Sequence, residues 1–126
     1  MGATGIHAKF REMLQELRKG VTGIQAVILV GPDGIVDHVV DDPAVNIETI
    51  AGEYATLLRV ASSASEDSGA GNLVENIVVS EKSIMLARTI SPENYLILLS
   101  RSQDQIGRAR YELKQAAREI RKSVSD

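Results

Sequence analysis

The sequence predicts an α/β protein of the α+β type, in which five antiparallel strands form a sheet with helices on both faces. Apolar residues recur at helical spacing in three segments, and five short β-branched runs are bounded by turn formers. The runs occur as one pair and one group of three, which favours a hairpin and a meander in an antiparallel sheet. At 126 residues the chain has the length of one compact domain. We expect a single domain over residues 1–126, with an additional helix in 1–20 and the core in 21–126.

Composition excludes several classes of function. With no Trp, one Phe and three Tyr, the core must be aliphatic, and the lack of Cys removes disulfides and thiolate sites. The net charge of −3 provides no basic footprint for phosphates, so we expect no nucleic acid as partner. No apolar run approaches the roughly 20 residues that span a bilayer, and the start, Met1 to His7, lacks a charged region followed by an apolar core. These features predict a cytoplasmic protein without a membrane partner.

The first third is predicted to form a helix and a β-hairpin. Residues 25–30 and 35–40 are β-branched runs that flank the turn formers Gly31-Pro32-Asp33-Gly34. The first run is apolar on both faces and should be interior, whereas the second carries Asp37 outward and should lie nearer an edge. Before Gly20, one helix face is formed by Ile6, Phe10, Met13, Leu14 and Leu17.

The clearest helix follows Pro43. Asn46 is suited to cap it, and Glu48 is a favourable acid in its first turn. The serines between residues 62 and 68 predict a frayed end before the glycines at 69 and 71. The apolar stripe that should face the core consists of Ile47, Ile50, Ala51, Tyr54, Leu57, Leu58 and Ala61.

Three strands and a helix are predicted to complete the chain. Residues 73–79, 84–90 and 95–100 are β-branched runs separated by short polar turns, and the last run should be central because it is apolar on both faces. Ser102 and Gln105 can form a capping box for the final helix. The apolar face of that helix is Ile106, Ala109 or Arg110, Leu113, Ala116, Ala117, Ile120 and Val124.

This order of elements, headed by Ala26-Val27-Ile28-Leu29-Val30-Gly31-Pro32-Asp33-Gly34, resembles the roadblock/dynein-light-chain family, and its bacterial branch in particular. The resemblance covers roughly residues 20–124. It implies the strand order 2-1-5-4-3 in a roadblock-like sandwich related to the profilin and longin folds. It also implies dimers in which third strands and central helices meet, and the regulation or scaffolding of small Ras-like GTPases, as in gliding-motility polarity regulators, or of dynein motors.

Two features of the residues support self-association independently of the resemblance. An apolar third strand at a sheet edge invites another strand, and the side of the central helix away from its stripe is small and weakly polar. The alternative is that this side packs under another element of the same chain. We expect a homodimer interface formed by Gly52, Ala55, Thr56, Arg59, Val60, Leu73, Val74, Asn76, Ile77, Val78 and Val79.

No motif predicts a catalytic, metal-binding or cofactor-binding site. The Gly-rich segments at 31–34 and 69–72 lack the Lys and Ser/Thr of a P-loop, so we interpret them as turns. His7 and His38 lack companion ligands and are interpreted as surface residues. The aspartates at 37, 41 and 42 form an acidic cluster, for which a turn-forming role is more common than weak cation binding. We expect no enzyme activity and no cofactor.

The leading functional hypothesis is a homodimeric regulator or scaffold that binds a small Ras-like GTPase and stimulates GTP hydrolysis without supplying catalytic residues. Arg59 and Arg88 are candidate arginine fingers, with plain solvation as the alternative interpretation. A pure assembly or adaptor module for a motor or signalling complex is the first alternative function. A small-molecule sensor is the second.

Overall fold

The computed structural model describes residues 2–101 and 103–125, and the side chains of 9–101 and 103–123. Ser102 and the side chains of Ile6, His7 and Val124, for which the sequence makes predictions, lie outside the described residues. The elements follow the predicted order. They are α1 Gly2–Gly20, β1 Ile24–Gly31, β2 Gly34–Val40, α2 Ile47–Asp67, β3 Glu75–Val79, β4 Ile84–Ser91, β5 Asn94–Ser100, a 3-10 turn Gln103–Gln105 and α3 Ile106–Ser125.

The strands form one antiparallel sheet of order β2-β1-β5-β4-β3, which confirms the predicted order. β1 is buried along its whole length, and β5 is buried after its first residue. Apolar residues on both faces require cover on both sides, which explains why these two strands occupy the centre. β2 and β3 are left at the two edges.

Helices cover both faces of the sheet, as predicted. α1 and α3 share one face, where Leu14, Leu113 and Ile120 are fully buried against alternate residues of the strands. α2 packs on the opposite face through Ala51, Ala55 and Leu58. The side chains of a strand alternate between the two faces, so each central strand contributes to both cores.

α2 is longer than the predicted helix. Asn46 caps its start as expected, because the Asn46 Oδ1 accepts a hydrogen bond from the Thr49 N–H at 3.0 Å. The predicted fraying from residue 62 is wrong. Ser62 Oγ lies 3.2 Å from the Tyr95 hydroxyl, and Ser65 Oγ donates to the Gly71 carbonyl at 2.7 Å. These contacts hold the last turns, and the helix continues to Asp67.

Asp37 does not point outward as the sequence predicted. It is buried beneath α1, where it pairs with Arg11, whose Nε donates to Asp37 Oδ1 at 2.9 Å. Burial acts to raise the pKa of Asp37, but the hydrogen bonds from Arg11 and from the His38 N–H outweigh it and hold that pKa below its usual value. β2 is an edge strand, as predicted, but its Asp37 is neutralised by Arg11 of α1.

The other two aspartates of the acidic cluster are also paired with arginines. Asp41 accepts from Arg18 at 2.8 Å, and Asp42 accepts from Arg101 at 2.6 Å. Asp42 Oδ1 additionally accepts from the Ala44 N–H at 2.9 Å, which is the turn-forming role expected of it. The pKa of Asp42 is lowered by this backbone bond and then by Gln25 and Arg101. The cluster therefore serves to attach elements to each other.

Candidate interaction surface

The two edges of the sheet differ in how open they are to another strand. On β2 the pairing shifts between Leu29 and Val30, so Val36 is left as an extra residue, and α1 packs against this strand. A bulge and a covering helix both protect an edge from further pairing. β3 pairs with β4 over five consecutive residues without a shift. β3 is therefore the regular edge.

Hydrogen bonds at both ends of β3 establish which backbone groups face outward. The Thr89 N–H donates to the Val74 carbonyl at 3.1 Å, and the Ser80 N–H donates to the Ser83 carbonyl at 2.9 Å. Hydrogen-bonded and non-hydrogen-bonded positions alternate in an antiparallel ladder, so the even-numbered residues of β3 direct their groups to β4. Glu75, Ile77 and Val79 consequently direct their N–H and carbonyl groups to the open edge.

The predicted interface residues on and before β3 lie on both faces of the sheet. Asn76 and Val78 pair with Ala87 and Met85, which belong to the core under α2, and Val78 is partly buried there. Leu73 precedes the strand and is also partly buried in this core. The exposed members are Val74 at 58 %, Ile77 at 39 % and Val79 at 56 %.

The predicted interface residues on α2 do not share one surface. Val60 is 63 % exposed on the outer side of the helix. Gly52 and Thr56 are exposed and linked by a hydrogen bond from the Thr56 hydroxyl to the Gly52 carbonyl at 2.9 Å. Ala55 was wrongly placed on this side, because it is buried against the sheet one helical turn after Ala51.

Leu57 is the residue that sequence reasoning missed. It was predicted to face the core, but it is 39 % exposed and lies three residues before Val60, at a spacing that makes the two neighbours. The buried line of α2 passes through Ala51, Ala55 and Leu58. Leu57 lies 100° from Leu58 around the helix axis. This rotation away from the buried line is the sequence signal that could have identified Leu57 as exposed.

Arg59 lies on a flank of α2 between two grooves. One groove, of about 580 Å³, separates Gly52 and Ala55 from the β1–β2 turn. The other, of about 610 Å³, lies beside Tyr95 and Thr89. Within the described side chains Arg59 makes no ion pair, whereas Arg88 pairs with Glu75 at 3.4 Å. The two candidate arginine fingers therefore differ, and only Arg59 is available to a partner.

The described residues hold few features of a chemical site. Among the side chains of residues 9–101 and 103–123, no three His, Asp or Glu are grouped as metal ligands would be. In residues 2–101 and 103–125, none of the helices has the length and apolar character needed to cross a bilayer. His38 is half-buried on β2. The main features of the described surface are thus an open strand edge and exposed aliphatic side chains.

Comparison with known proteins assigns a family. No protein-family model and no curated protein matches the sequence. MglC from Myxococcus xanthus is 31 % identical, with 90 % of this chain and 98 % of that chain covered and a TM-score of 0.65. A Roadblock/LC7 domain from Streptomyces avermitilis is 17 % identical, with 90 % and 96 % covered and a TM-score of 0.77.

The gliding protein mglB from Thermus thermophilus also has this fold, at 14 % identity, with 93 % and 89 % of the chains covered and a TM-score of 0.81. The Streptomyces avermitilis domain and the Thermus thermophilus protein are similar to this chain in fold. MglC, at 31 % identity, is similar to this chain in sequence as well as in fold. The resemblance inferred from the sequence is thereby confirmed: this chain belongs to the Roadblock/LC7 family.

Proposed function

We propose that this chain is a homodimeric regulator or scaffold that binds a small Ras-like GTPase. The observation that carries the proposal is the β3 edge, where Glu75, Ile77 and Val79 direct unpaired backbone groups outward beside exposed apolar side chains. An open apolar edge of this kind is satisfied by a second strand. The MglC relative and the shared fold of the gliding protein mglB support a regulatory adaptor role in gliding motility.

The outward backbone groups of β3 define how the β3 strands of two copies would pair in the proposed dimer. Two identical antiparallel strands related by a two-fold axis pair reciprocally. With Ile77 opposite Ile77 of the second copy, Glu75 meets the second copy's Val79, and the outward groups of all three residues are used. A shift of two residues would leave one of them unpaired in each copy. We therefore place the two-fold axis at Ile77.

In this register the two sheet faces that carry α2 lie on the same side of the joined sheet. Leu57 and Val60 are exposed on α2, and Val78 is only partly covered on the sheet below. Contact between copies would remove these aliphatic groups from water, which is favourable. The proposed interface therefore gains Leu57 and loses Ala55, while Gly52, Thr56 and Arg59 are retained at its rim.

A pair of proline variants tests the dimer. The Ile77 N–H faces the open edge, so Ile77→Pro removes a bond between copies and leaves the ladder to β4 intact. We expect a folded monomer in sedimentation, with an unchanged circular dichroism spectrum. Val78→Pro is the matched control, because the Val78 N–H bonds within the chain and its loss should lower thermal stability. A dimeric Ile77→Pro protein would contradict the proposal.

Binding and turnover assays test the role. The purified protein is mixed with the Ras-like GTPases of its source organism, and binding is measured by calorimetry and GTP hydrolysis by phosphate release. Binding with faster hydrolysis identifies an activator, whereas binding with unchanged hydrolysis identifies the assembly module. Ile77→Pro should lose binding if the dimer builds the recognition surface. No binding to any of these GTPases would exclude the leading role.

One observation favours the sensor as a second candidate. In the described part of the chain, the hydroxyl of Thr89 is buried without a hydrogen-bond partner, and it borders the groove beside Tyr95. A ligand with a polar group would satisfy it. Thermal-shift screening with nucleotides and metabolites tests this candidate, because a ligand that binds the folded state raises its stability. The absence of enzyme activity, the cytoplasmic location and the division at residue 20 stay predictions.

A further inference from the structure

The turn between β3 and β4 carries an acidic residue that has no partner among the described side chains. The Ser80 N–H donates to the Ser83 carbonyl at 2.9 Å, which closes the turn around Glu81 and Lys82. Both charged residues are exposed, and neither forms an ion pair within the described part of the chain. Glu81 lies on the β3 side of the turn, whereas Lys82 leads back towards β4. Glu81 is therefore the charged residue nearer to the open edge.

A recess of about 370 Å³ on the α3 side of β3 contains a lysine that is also without an acidic partner. Arg88 and Arg110 both pair with Glu75, at 3.4 Å and 2.7 Å. This carboxylate is thus already shared between two cations, and Lys114 forms no ion pair among the described side chains. Three cations therefore face one carboxylate in this recess. Its lining consists of Val74, Glu75, Arg88, Arg110, Tyr111 and Lys114.

The direction of α3 places Lys114 beside the start of β3. Arg110 of α3 reaches Glu75, the first residue of β3. Further along the helix, Arg121 Nε donates to the Ile90 carbonyl at 2.9 Å, near the end of β4. Lys114 follows Arg110 by about one helical turn in this direction. Its side chain accordingly lines the recess next to the residue that precedes β3.

The proposed dimer brings Glu81 of one copy to Lys114 of the other, and the inference rests on that proposed function. With Ile77 opposite Ile77, Val74 lies opposite Ser80 of the second copy, at about 4.5 Å between Cα atoms. Glu81 of the second copy then follows within about 8 Å of Val74. The two-fold axis keeps both α3 helices on one side of the joined sheet. Odd-numbered β3 residues such as Ile77 point to that side, and Glu81 continues the odd-numbered series.

We propose that Glu81 of each copy forms an ion pair with Lys114 of the other, so that two reciprocal charge contacts select a second copy of this chain as the strand partner. A foreign strand can use the same backbone groups of β3. It leaves Lys114 without a partner, however, unless it carries an acid at the matching position. Backbone pairing therefore supplies affinity, and the charged side chains supply the choice of partner.

Charge reversals in the full chain test the proposal. Glu81→Lys places two cations at each contact, and Lys114→Glu places two carboxylates there. We expect each single variant to weaken the dimer at least about fivefold at low salt, because attraction is replaced by repulsion at both contacts. The double variant restores both contacts with exchanged charges and should dimerise within about twofold of wild type. Sedimentation equilibrium measures the dissociation constants, and a double variant that stays weak would overturn the proposal.

A mixture of the two single variants tests the choice of partner directly. A mixed dimer of Glu81→Lys and Lys114→Glu chains has opposite charges at both contacts, whereas each homodimer has like charges at both. We expect mixed dimers to exceed the share that random pairing gives. Energy transfer between chains that carry donor and acceptor dyes measures this share. Random pairing would show that these charges do not select the partner.

Asp33→Lys and Lys9→Glu are the matched controls. Both residues are exposed and lie away from β3, in the β1–β2 turn and on α1. The same changes in net charge there should leave the dissociation constant within about twofold of wild type. At about 0.5 M NaCl the effects of the Glu81 and Lys114 reversals should shrink, because salt screens exposed charges. Controls that weaken the dimer equally would assign the effect to net charge and overturn the proposal.

Sedimentation of the wild-type chain separates this inference from the proposed function. A wild-type dimer that tolerates both single reversals removes the ion pairs and leaves the dimer standing. A wild-type monomer removes both, because the contacts need two copies. Circular dichroism and urea unfolding of every variant show whether it is folded. A single variant that dissociates because it unfolds is recognised there, and the mixed dimer and the double variant then decide the proposal.

Discussion

Single ion pairs attach the helices to the two edges of the sheet. Asp37 on β2 pairs with Arg11 of α1, and Glu75 on β3 pairs with Arg110 of α3. The carboxylates are only 8 % and 17 % exposed, whereas both arginines are more than half exposed, at 52 % and 54 %. Long arginine side chains can neutralise a sheltered carboxylate while they keep contact with water. Loss of Arg11 would leave the sheltered Asp37 without its arginine partner, whereas loss of Arg110 would leave Glu75 paired with Arg88.

Asp37→Asn should lower stability in a pH-dependent way. At pH 7 we expect the free energy of unfolding to fall by about 1–2 kcal/mol, the scale of a partly exposed charge-assisted hydrogen bond. The pKa of Asp37 in the folded state lies below its usual 3.8. The stabilisation is therefore present above that usual value and is lost as pH falls through the folded pKa.

Urea unfolding of both proteins at pH 7, 5 and 3 checks this prediction. The difference between wild type and Asp37→Asn should shrink towards the lowest pH. Asp33→Asn, in the exposed β1–β2 turn, is the control and should change stability by less than about 0.5 kcal/mol. A difference between wild type and Asp37→Asn that stays constant with pH would show that the carboxylate charge is not the stabilising feature.

At the scale of the element, α2 shows how neighbouring leucines acquire different roles. Leu58 is 1 % exposed and packs with Ala51 and Ala55, while Leu57 is 39 % exposed. Both are equally apolar, so hydrophobicity alone does not separate them. A helix turns by 100° per residue, and the sheet covers only one side of it.

Alanine variants of the two leucines should separate folding from association. Leu58→Ala removes a buried side chain and should cost about 2–5 kcal/mol of unfolding free energy. Leu57→Ala should cost less than about 1 kcal/mol in the monomer, because its side chain stays partly in water. The proposed dimer should weaken in Leu57→Ala. Urea unfolding measures the first effect and sedimentation equilibrium the second; a strongly destabilised Leu57→Ala monomer would contradict the exposure of this side chain.

Single cysteines on β3 test the proposed register. The chain has no Cys, so each variant reports one contact. Two Ile77→Cys residues on the two-fold axis would have Cα atoms about 5.5 Å apart, within the range of a disulfide. We expect Ile77→Cys to form a disulfide-linked dimer under mild oxidation. The linked fraction is measured on a non-reducing gel.

Val79→Cys is the control for this experiment. It lies on the same strand and face, but in the proposed register its two copies are about 13 Å apart, beyond the reach of a disulfide. Val79→Cys should therefore stay monomeric on the gel. Faster crosslinking of Val79→Cys than of Ile77→Cys would place the two-fold axis elsewhere.

The molecule as a whole combines one open edge with two differently charged faces. α2 carries four acidic residues and one arginine, whereas α3 carries six basic residues and two acidic ones. The net charge of −3 conceals this separation. Opposite faces of opposite charge can steer different partners to different sides of the molecule.

Arg59→Ala should distinguish a regulator that leaves hydrolysis to the GTPase from an activator that supplies an arginine finger. Under the proposed function the GTPase performs hydrolysis itself, so the variant should retain stimulation within about tenfold, whereas loss of an arginine finger costs about a thousandfold or more. Phosphate release under single-turnover conditions measures the effect. Arg88→Ala is the control for an arginine engaged within the chain. Loss of stimulation on the scale of an arginine finger would assign Arg59 a catalytic role.

The sequence by itself determined the order of the elements, the central strands and the family. These properties depend on local patterns: helical spacing, β-branched runs such as residues 25–30, and the turn at Gly31-Pro32-Asp33-Gly34. The start of α2 was equally predictable, because Asn46 caps it through a contact three residues away. Patterns of this kind are complete within a few neighbouring residues.

Only the tertiary structure decided which side of each element is covered. Asp37 is neutralised by Arg11, which is 26 residues away, and α2 is extended by the contact of Ser62 with Tyr95. Ala55 is buried and Leu57 exposed because the sheet meets α2 along one particular line. Burial and pairing are properties of two surfaces in contact, and a single segment specifies only one of them.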